Sequence, residues 1–235
     1  MSLLNAFQQR KRRGGPSPTS ELLTAAKCLK PAVTLERYDA GTELPRKLLV
    51  QALNLLTRNM SDFDRESWDI NEKRHDLTHA EASVLALCLS GKLVGFALFR
   101  FVQEETVPVV YLYEIQLDEE VRGQGLGGHL MRAVQRVGRE SGQHGLMLTV
   151  HLRNKGAVRF YENLSGFEVS PTSPSQCAPP HIAADCGYEV CQCLWEEAAR
   201  QVLAARAAAA KRALHVEALD EGALRVKRVQ RTPGG

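Results

Sequence analysis

The chain has 235 residues, 44% of them hydrophobic and 24% charged, an ordinary globular composition with room for one domain and its extensions. A formal net charge of +3 is too small to argue for direct nucleic-acid binding, and no run of about eighteen apolar residues offers a membrane span. Leu3, Leu4 and Phe7 are too few for a signal-peptide apolar region, so the expected location is the cytoplasm and nucleus, where the six cysteines stay reduced.

Residues 1–20 lack periodicity and carry Arg10-Lys11-Arg12-Arg13 beside Gly14-Gly15-Pro16. They read as a disordered basic arm, either a solvated tail or an electrostatic address. One domain is expected over 21–195, opening with a short helix at 21–30. Leu48, Leu49, Ala52, Leu53, Leu55 and Leu56 form a helical stripe over Leu44 to Thr57. The acidic and aromatic stretch Ser61 to Trp68 reads as a loop, with helix resuming through Arg74. Strands are predicted at Ser83 to Leu89, Leu93 to Val102 and Val109 to Leu117, with Ser90-Gly91-Lys92 as a hairpin turn. A glycine-rich loop at Gly123 to Gly128 precedes an amphipathic helix, Leu130 to Ser141. Then follow a strand at Leu146 to Leu152, a helix at Lys155 to Leu164, a strand from Gly166, a Pro/Ser-rich loop over Ser170 to Asp185, and a last strand at Tyr188 to Trp195. The Ala-rich charged segment 196–235 has helical composition. Cys28 and Cys88 read as core. Cys177, Cys186, Cys191 and Cys193 match no common zinc spacing, and no metal is expected. The order predicts an α/β (α+β) domain: a mixed, mostly antiparallel sheet with helices on both faces.

The chemistry concentrates in Gln116 to Gly128, where a strand gives way to a glycine-rich turn and then a helix. Such a turn points successive backbone N–H groups at one concavity and suits an anion, with a pyrophosphate as the natural occupant. A dinucleotide fold would place this loop after the first strand. A Walker loop would need Lys and Ser/Thr after its second glycine, where Gly127 is followed by Gly128-His129. Neither fits.

Arg122-x-x-Gly125-x-Gly127, followed by Asn154-x-x-Ala157-x-x-Phe160-Tyr161 and Gly166-Phe167, resembles the GNAT acetyltransferases. The surroundings narrow the likeness: Asn59-Met60 with Trp68, Phe99-Arg100-Phe101, Tyr111-x-Tyr113-Glu114-Ile115-Gln116-Leu117, Met147-Leu148-Thr149-Val150, Ser173-Pro174-Ser175 and Cys186-x-Tyr188-Glu189. Over about 45–192 this set is similar to the N-alpha-acetyltransferase D (NatD) family, which acetylates the N-terminal amine of core histones.

The resemblance implies the GNAT fold, acetyl-CoA as cosubstrate and the N-terminal peptide of a histone-like protein as partner, with no membrane and no nucleic acid. It implies Glu114 as base and Tyr113 beside it at the peptide. An N-terminal amine, with a reference pKa of about 7.7–8.0, needs only modest help to lose its proton. Ile115, Gln116 and Leu117 would offer backbone N–H groups to the thioester and pantetheine. Arg122, Gly123, Gln124, Gly125, Leu126, Gly127 and Gly128 would hold the pyrophosphate, a solvent-facing role for Arg122 staying open. Asn154 and Thr172 match further cofactor contacts. Tyr161 stands where many GNAT enzymes keep a thiolate-protonating phenol, with plain packing as the alternative. Thr149, Tyr188 and Glu104 match peptide contacts. Phe63 stands where the family has a tyrosine that closes over the substrate, and Val102 where it has a second carboxylate; Asp62 and Asp64 flank Phe63. Two other functions stay open: a GNAT enzyme for lysine or a small amine, and an acetyl-CoA-binding scaffold without turnover.

Overall fold

The computed structural model describes residues 33–63 and 68–212. The expected basic arm, the helix at 21–30, Cys28, Asp64 and the chain beyond 212 lie outside the described residues. A seven-stranded sheet runs in the order β1-β2-β3-β4-β5-β7-β6. Its strands are β1 (Val33–Tyr38), β2 (Ser83–Leu89), β3 (Lys92–Glu104), β4 (Val107–Leu117), β5 (Gly145–His151), β6 (Glu168–Val169) and β7 (Tyr188–Leu194). Every neighbouring pair is antiparallel except β4 and β5. The helices are α1 (Arg46–Met60), α2 (Ile70–Thr78), α3 (Leu126–Glu140), α4 (Lys155–Glu162), α5 (Pro174–Cys177), α6 (Pro180–Cys186) and α7, which covers 197–212. No helix among the described residues is long and apolar enough to cross a membrane.

Alternation along the strands divides the core between the two faces of the sheet. Leu85, Leu87, Ala97, Phe99, Val110, Leu112, Leu146 and Leu148 pack with α3, Tyr161 of α4, and Phe167. On the opposite face Val84, Ala86, Cys88, Phe96 and Leu98 pack with Leu48, Ala52, Leu53, Leu55 and Leu56 of α1 and Leu77 of α2. That second face continues as Val107, Val109, Met147 and Leu194 under Ala199 and Leu203 of α7. Cys191 and Cys193 are buried in the first core, and among the described residues no group of His, Cys, Asp or Glu is assembled to hold a metal ion.

Several expectations are corrected. Strand β1 carries no alternation of buried and exposed residues that the sequence could advertise; it joins the edge of the sheet through β2. The helix expected from Leu130 begins at Leu126, because the glycines at 127 and 128, read as loop, lie inside it. Helix α2 extends past Arg74 to Thr78, capped at its start by the Asp69 side chain, which accepts from the Asn71 N–H. The expected loop at 170–185 holds α5 and α6, each opened by a proline in its first turn.

Two register shifts matter. One lies between Leu87 and Cys88 of β2. The other is in β4: Leu98 pairs with Glu114 while Phe99 pairs with Leu112, so Tyr113 is an extra residue, a β-bulge. The β3–β4 hairpin turns through Glu105 and Thr106 at φ 48° and 77°. A β-branched residue in the left-handed region is strained. Thr106→Gly is expected to stabilise the fold by about 1 kcal/mol, read as a rise of roughly 2–4 °C in thermal midpoint.

Candidate active site

Strands β4 and β5 pair in parallel only through Val110–Leu146, Tyr111–Met147 and Leu112–Leu148. Beyond Leu112 the ladder stops while β4 runs on to Leu117 and β5 to His151. The sheet therefore splays, and the backbone of Tyr113 to Leu117 borders the opening. Ile115 and Leu117 lean on the first core, while Gln116 is 6% exposed.

At the mouth of this opening lies the glycine loop. Gly123 and Gly125 have φ of 74° and 80°, and a Cβ at either would meet nothing within 4 Å, so it is backbone conformation that requires glycine there. Gly125 is the N-cap of α3 and supplies no side-chain cap, which leaves the first-turn N–H groups of α3 to an external acceptor. Gly127 has a different reason: a Cβ there would come within 3.0 Å of Phe160 Cε2 on α4. Leu126 is buried beneath the loop and Gln124 donates to the Glu120 carbonyl. A cavity of about 720 Å³ is lined by Gly123, Gly125, Gly128, Gly156, Arg132 and Arg159, among others. The sequence reading missed the two arginines. Their signal was their position on the second turns of α3 and α4, the two helices that flank the loop.

Arg122 is not among the residues that line this cavity. Its Nε donates to the Leu117 carbonyl at 3.2 Å and its second guanidinium nitrogen to Asn59 Oδ1 at 2.6 Å. Asn154 caps α4, accepting from the Ala157 N–H at 3.0 Å, and its Nδ2 stands 4.0 Å from Met60 Sδ. Thr172 lies apart from the cavity, bonded to Ser170 in the turn after β6. Tyr161 is 6% exposed; burial, then the nearby Glu114 and Cys191, raise its pKa far above that of a free phenol, so it keeps its proton.

On the second face the bulge brings Tyr113 and Glu114 together beside Tyr111, whose ring is 5.3 Å from that of Tyr113. Glu114 Oε1 accepts from Lys73 Nζ at 3.2 Å and Oε2 from Gln116 Nε2 at 2.9 Å. The guanidinium of Arg100, paired with Asp76 at 3.1 Å, lies over the Tyr113 ring at 4.7 Å. Tyr111 shares a 2.6 Å hydrogen bond with Thr149. Its pKa is raised by burial, opposed by the Thr149 bond, and raised further by Glu104, Tyr113 and Tyr188. The expected peptide contacts Glu104, Tyr113, Thr149 and Tyr188 thus gather around one phenol that sequence reasoning had not singled out. Burial, then Glu105, raises the Glu104 carboxyl above its ordinary value, the response of a carboxylate short of cationic company. Phe63 is exposed just past α1, and Val102 is half-buried against the cluster under α7.

The family model for the acetyltransferase (GNAT) family matches residues 49–167. The chain belongs to the GNAT family. Acetyl-CoA is the acetyl donor of this family. It is similar to N-alpha-acetyltransferase 40 of Saccharomyces cerevisiae, 28% identical over 174 residues, 65% of this chain and 60% of that protein. A tRNA-acetylating toxin of Mycobacterium tuberculosis is 32% identical over 103 residues, 37% of this chain and 61% of the toxin. The matches thus span about three-fifths of each curated relative. Among solved structures, an acetyltransferase from Streptococcus agalactiae superposes with a TM-score of 0.54 at 16% identity, covering 70% of this chain and 99% of that one; this supports the fold.

The splayed strands, the uncapped start of α3 and the arginine-lined cavity fit a thioester carried on a long phosphate-bearing arm. Gly125→Glu is expected to abolish acetyl-CoA binding by isothermal calorimetry while the circular dichroism spectrum is kept, because a side chain on the left-handed backbone at 125 strains the loop alone and sets a negative charge at the anion site. Undiminished affinity would remove the loop from the binding site.

Proposed function

We propose that this enzyme moves the acetyl group of acetyl-CoA to the free N-terminal amine of a protein, with a basic, histone-like N-terminal peptide as acceptor, in the cytoplasm and nucleus. The observation that carries the reading is the bulge in β4, which sets Tyr113 and Glu114 on one face at the edge of the splay. The N-alpha-acetyltransferase relative supports the same acceptor class.

In this reading acetyl-CoA supplies the thioester from the first face, and the peptide lies on the second. Glu114 takes the amine proton as the amine attacks. Backbone N–H groups of Ile115 to Leu117 border the place of the carbonyl, and Tyr161, protonated, stands across the splay as donor to the departing sulfur. Tyr113, Tyr111, Thr149 and Tyr188 form the floor for the first residues of the peptide, which favours a small first side chain such as Ser. Glu104 meets a basic residue further on. Because ionised Glu104 is disfavoured in the free protein, a cationic partner gains it back, and that part of the affinity fades as pH falls through the raised pKa.

The deciding experiment compares a lysine-bearing histone-like peptide having a free terminus with its N-blocked twin. Mass spectrometry is expected to find acetyl on the terminus of the first and none on the lysines of either. Comparable labelling of the blocked peptide would transfer the reading to lysine. Glu114→Gln is expected to lower kcat by about 10²–10⁴-fold, with little change in peptide KM and a deficit that narrows as pH rises and more amine is neutral. A pH-independent loss below about threefold would make Glu114 structural.

A further inference from the structure

The groups behind Glu114 form a single directed chain of hydrogen bonds that begins on the cofactor loop. Arg122, the residue before Gly123, donates to Asn59 Oδ1 at 2.6 Å and to the Leu117 carbonyl at 3.2 Å. Asn59, on the last turn of α1, spends both hydrogens of its Nδ2 on acceptors: Gln116 Oε1 at 2.9 Å and the Leu117 carbonyl at 3.0 Å. Gln116 then donates from Nε2 to Glu114 Oε2 at 2.9 Å. The sense of each amide follows from chemistry alone. A guanidinium only donates, so Asn59 must turn its oxygen to Arg122 and its NH₂ to Gln116. Gln116 must then accept on that side and present NH₂ to Glu114. Gln116 is 6% exposed, so water competes poorly for its amide.

We infer that Asn59 and Gln116 are positioning residues of the acetyl transfer. Together they hold Glu114 Oε2 in place and favour its ionised form, and Arg122 sets the direction of the relay from the pyrophosphate loop. This rests on Glu114 being the base. The relay fixes one carboxylate oxygen from behind, while the other, Oε1, faces Lys73 of α2 at 3.2 Å, a largely buried pair on the side from which an amine would arrive. Among the described residues, the charged and titratable groups near Glu114 include Lys73 from α2, Tyr161 from α4, the Arg100–Asp76 pair beside Tyr113, and Arg122 with the Arg58–Asp118 pair at the far end.

An isosteric change reverses the relay. In Asn59→Asp the new carboxylate still accepts from Arg122 but has no hydrogen for Gln116. Gln116 rotates to donate to it and turns its oxygen on Glu114, so the carboxylate loses a donor and gains a repulsive lone pair. Gln116→Met removes the donor without adding charge.

The test follows the Glu114 carboxyl directly by ¹³C NMR in the full chain labelled at glutamate carboxyls, the signal being assigned by its loss in Glu114→Gln. The titration midpoint of Glu114 is expected to rise by about one to two pH units in Asn59→Asp, the worth of a hydrogen bond to a charged group, and to rise in Gln116→Met as well. The carboxylate limb of the kcat profile at saturating peptide should move up with it. A midpoint that stays within about 0.3 unit in both variants overturns the relay, even if Glu114→Gln is inactive. If the midpoint rises but Glu114→Gln keeps its rate, the hydrogen-bonded chain exists without a catalytic role, and it is the assignment of the base that fails. Should Asn59→Asp not fold, Gln116→Met alone decides, since it changes no charge.

Discussion

The site depends on one irregularity, the extra residue at Tyr113 in β4. In a regular strand neighbouring side chains point to opposite faces, so Tyr113 and Glu114 could not serve one cleft. Before the bulge, Val109 and Tyr111 lie on the second face and Val110 and Leu112 in the first core. After it, Glu114 pairs with Leu98 and Gln116 with Phe96, both second-face residues, while Ile115 returns to the first core. The shift therefore turns a carboxylate and an amide toward α1 and α2 without disturbing the apolar alternation that packs α3. It also falls where the ladder to β5 ends after Leu112. Bulge and splay together free the strand edge for a cosubstrate and aim the polar side chains toward an acceptor.

The two faces then divide the labour by packing. On the first, α3 must approach the sheet and α4 closely to bring its N-terminus to the splay. Gly127 against Phe160 and Gly138 against Val110, where a Cβ would lie 2.5 Å from Cγ2, mark where that closeness is met by omitting a side chain. On the second face α1, α2 and α7 leave a strip of β4, β5 and β7 uncovered, and Tyr113, 41% exposed, lies within it. Large polar aromatics suit such a strip: each presents an apolar ring and a polar tip, as the Tyr111–Thr149 bond shows.

Much of the architecture was legible. The helical stripe of α1, the β2–β3 hairpin and the glycine loop all lie where apolar periodicity and turn chemistry put them, because these are local signals. Non-local facts were not. Val33 to Tyr38 has strand-forming residues but is too short and too exposed to mark an edge strand, and two helical glycines read as loop because propensity cannot see Phe160 across the gap. Glu114 and Tyr113 were named through family resemblance, and the bulge that unites them has no local signature. Arg132, Arg159 and Lys73 escaped notice, and Tyr111 and Asn59 were quoted only within the resemblance without a role, since their importance comes from residues far away in sequence. Asn59 meets Gln116 across fifty-seven positions. Thr172 was named from its sequence match alone, and its hydroxyl bonds to Ser170.

The magnitude of deprotonation bears on which amine such a site serves. A lysine near 10.4 and an N-terminal amine near 7.7–8.0 differ by about 2.5 pKa units, worth roughly 3.4 kcal/mol at neutral pH before any chemistry begins. A base that compensated would need high proton affinity, which comes from desolvation or from a like charge. Glu114 has a cation at one oxygen and an amide donor at the other. In the proposed transfer, a carboxylate held between a cation and a donor suits an amine that is already easy to deprotonate. A second-face carboxylate whose proton affinity burial raises, Glu104, lies near Tyr111; on β3 it sits six positions past the register partner of Glu114, Leu98, which in the proposed reading puts it away from the attacking nitrogen and toward a side chain further along the peptide. In the proposed reading, a base at the splay and an anchoring carboxylate at a distance suit an acceptor whose reactive amine and basic side chain are separate groups, as in a peptide N-terminus followed by Arg or Lys.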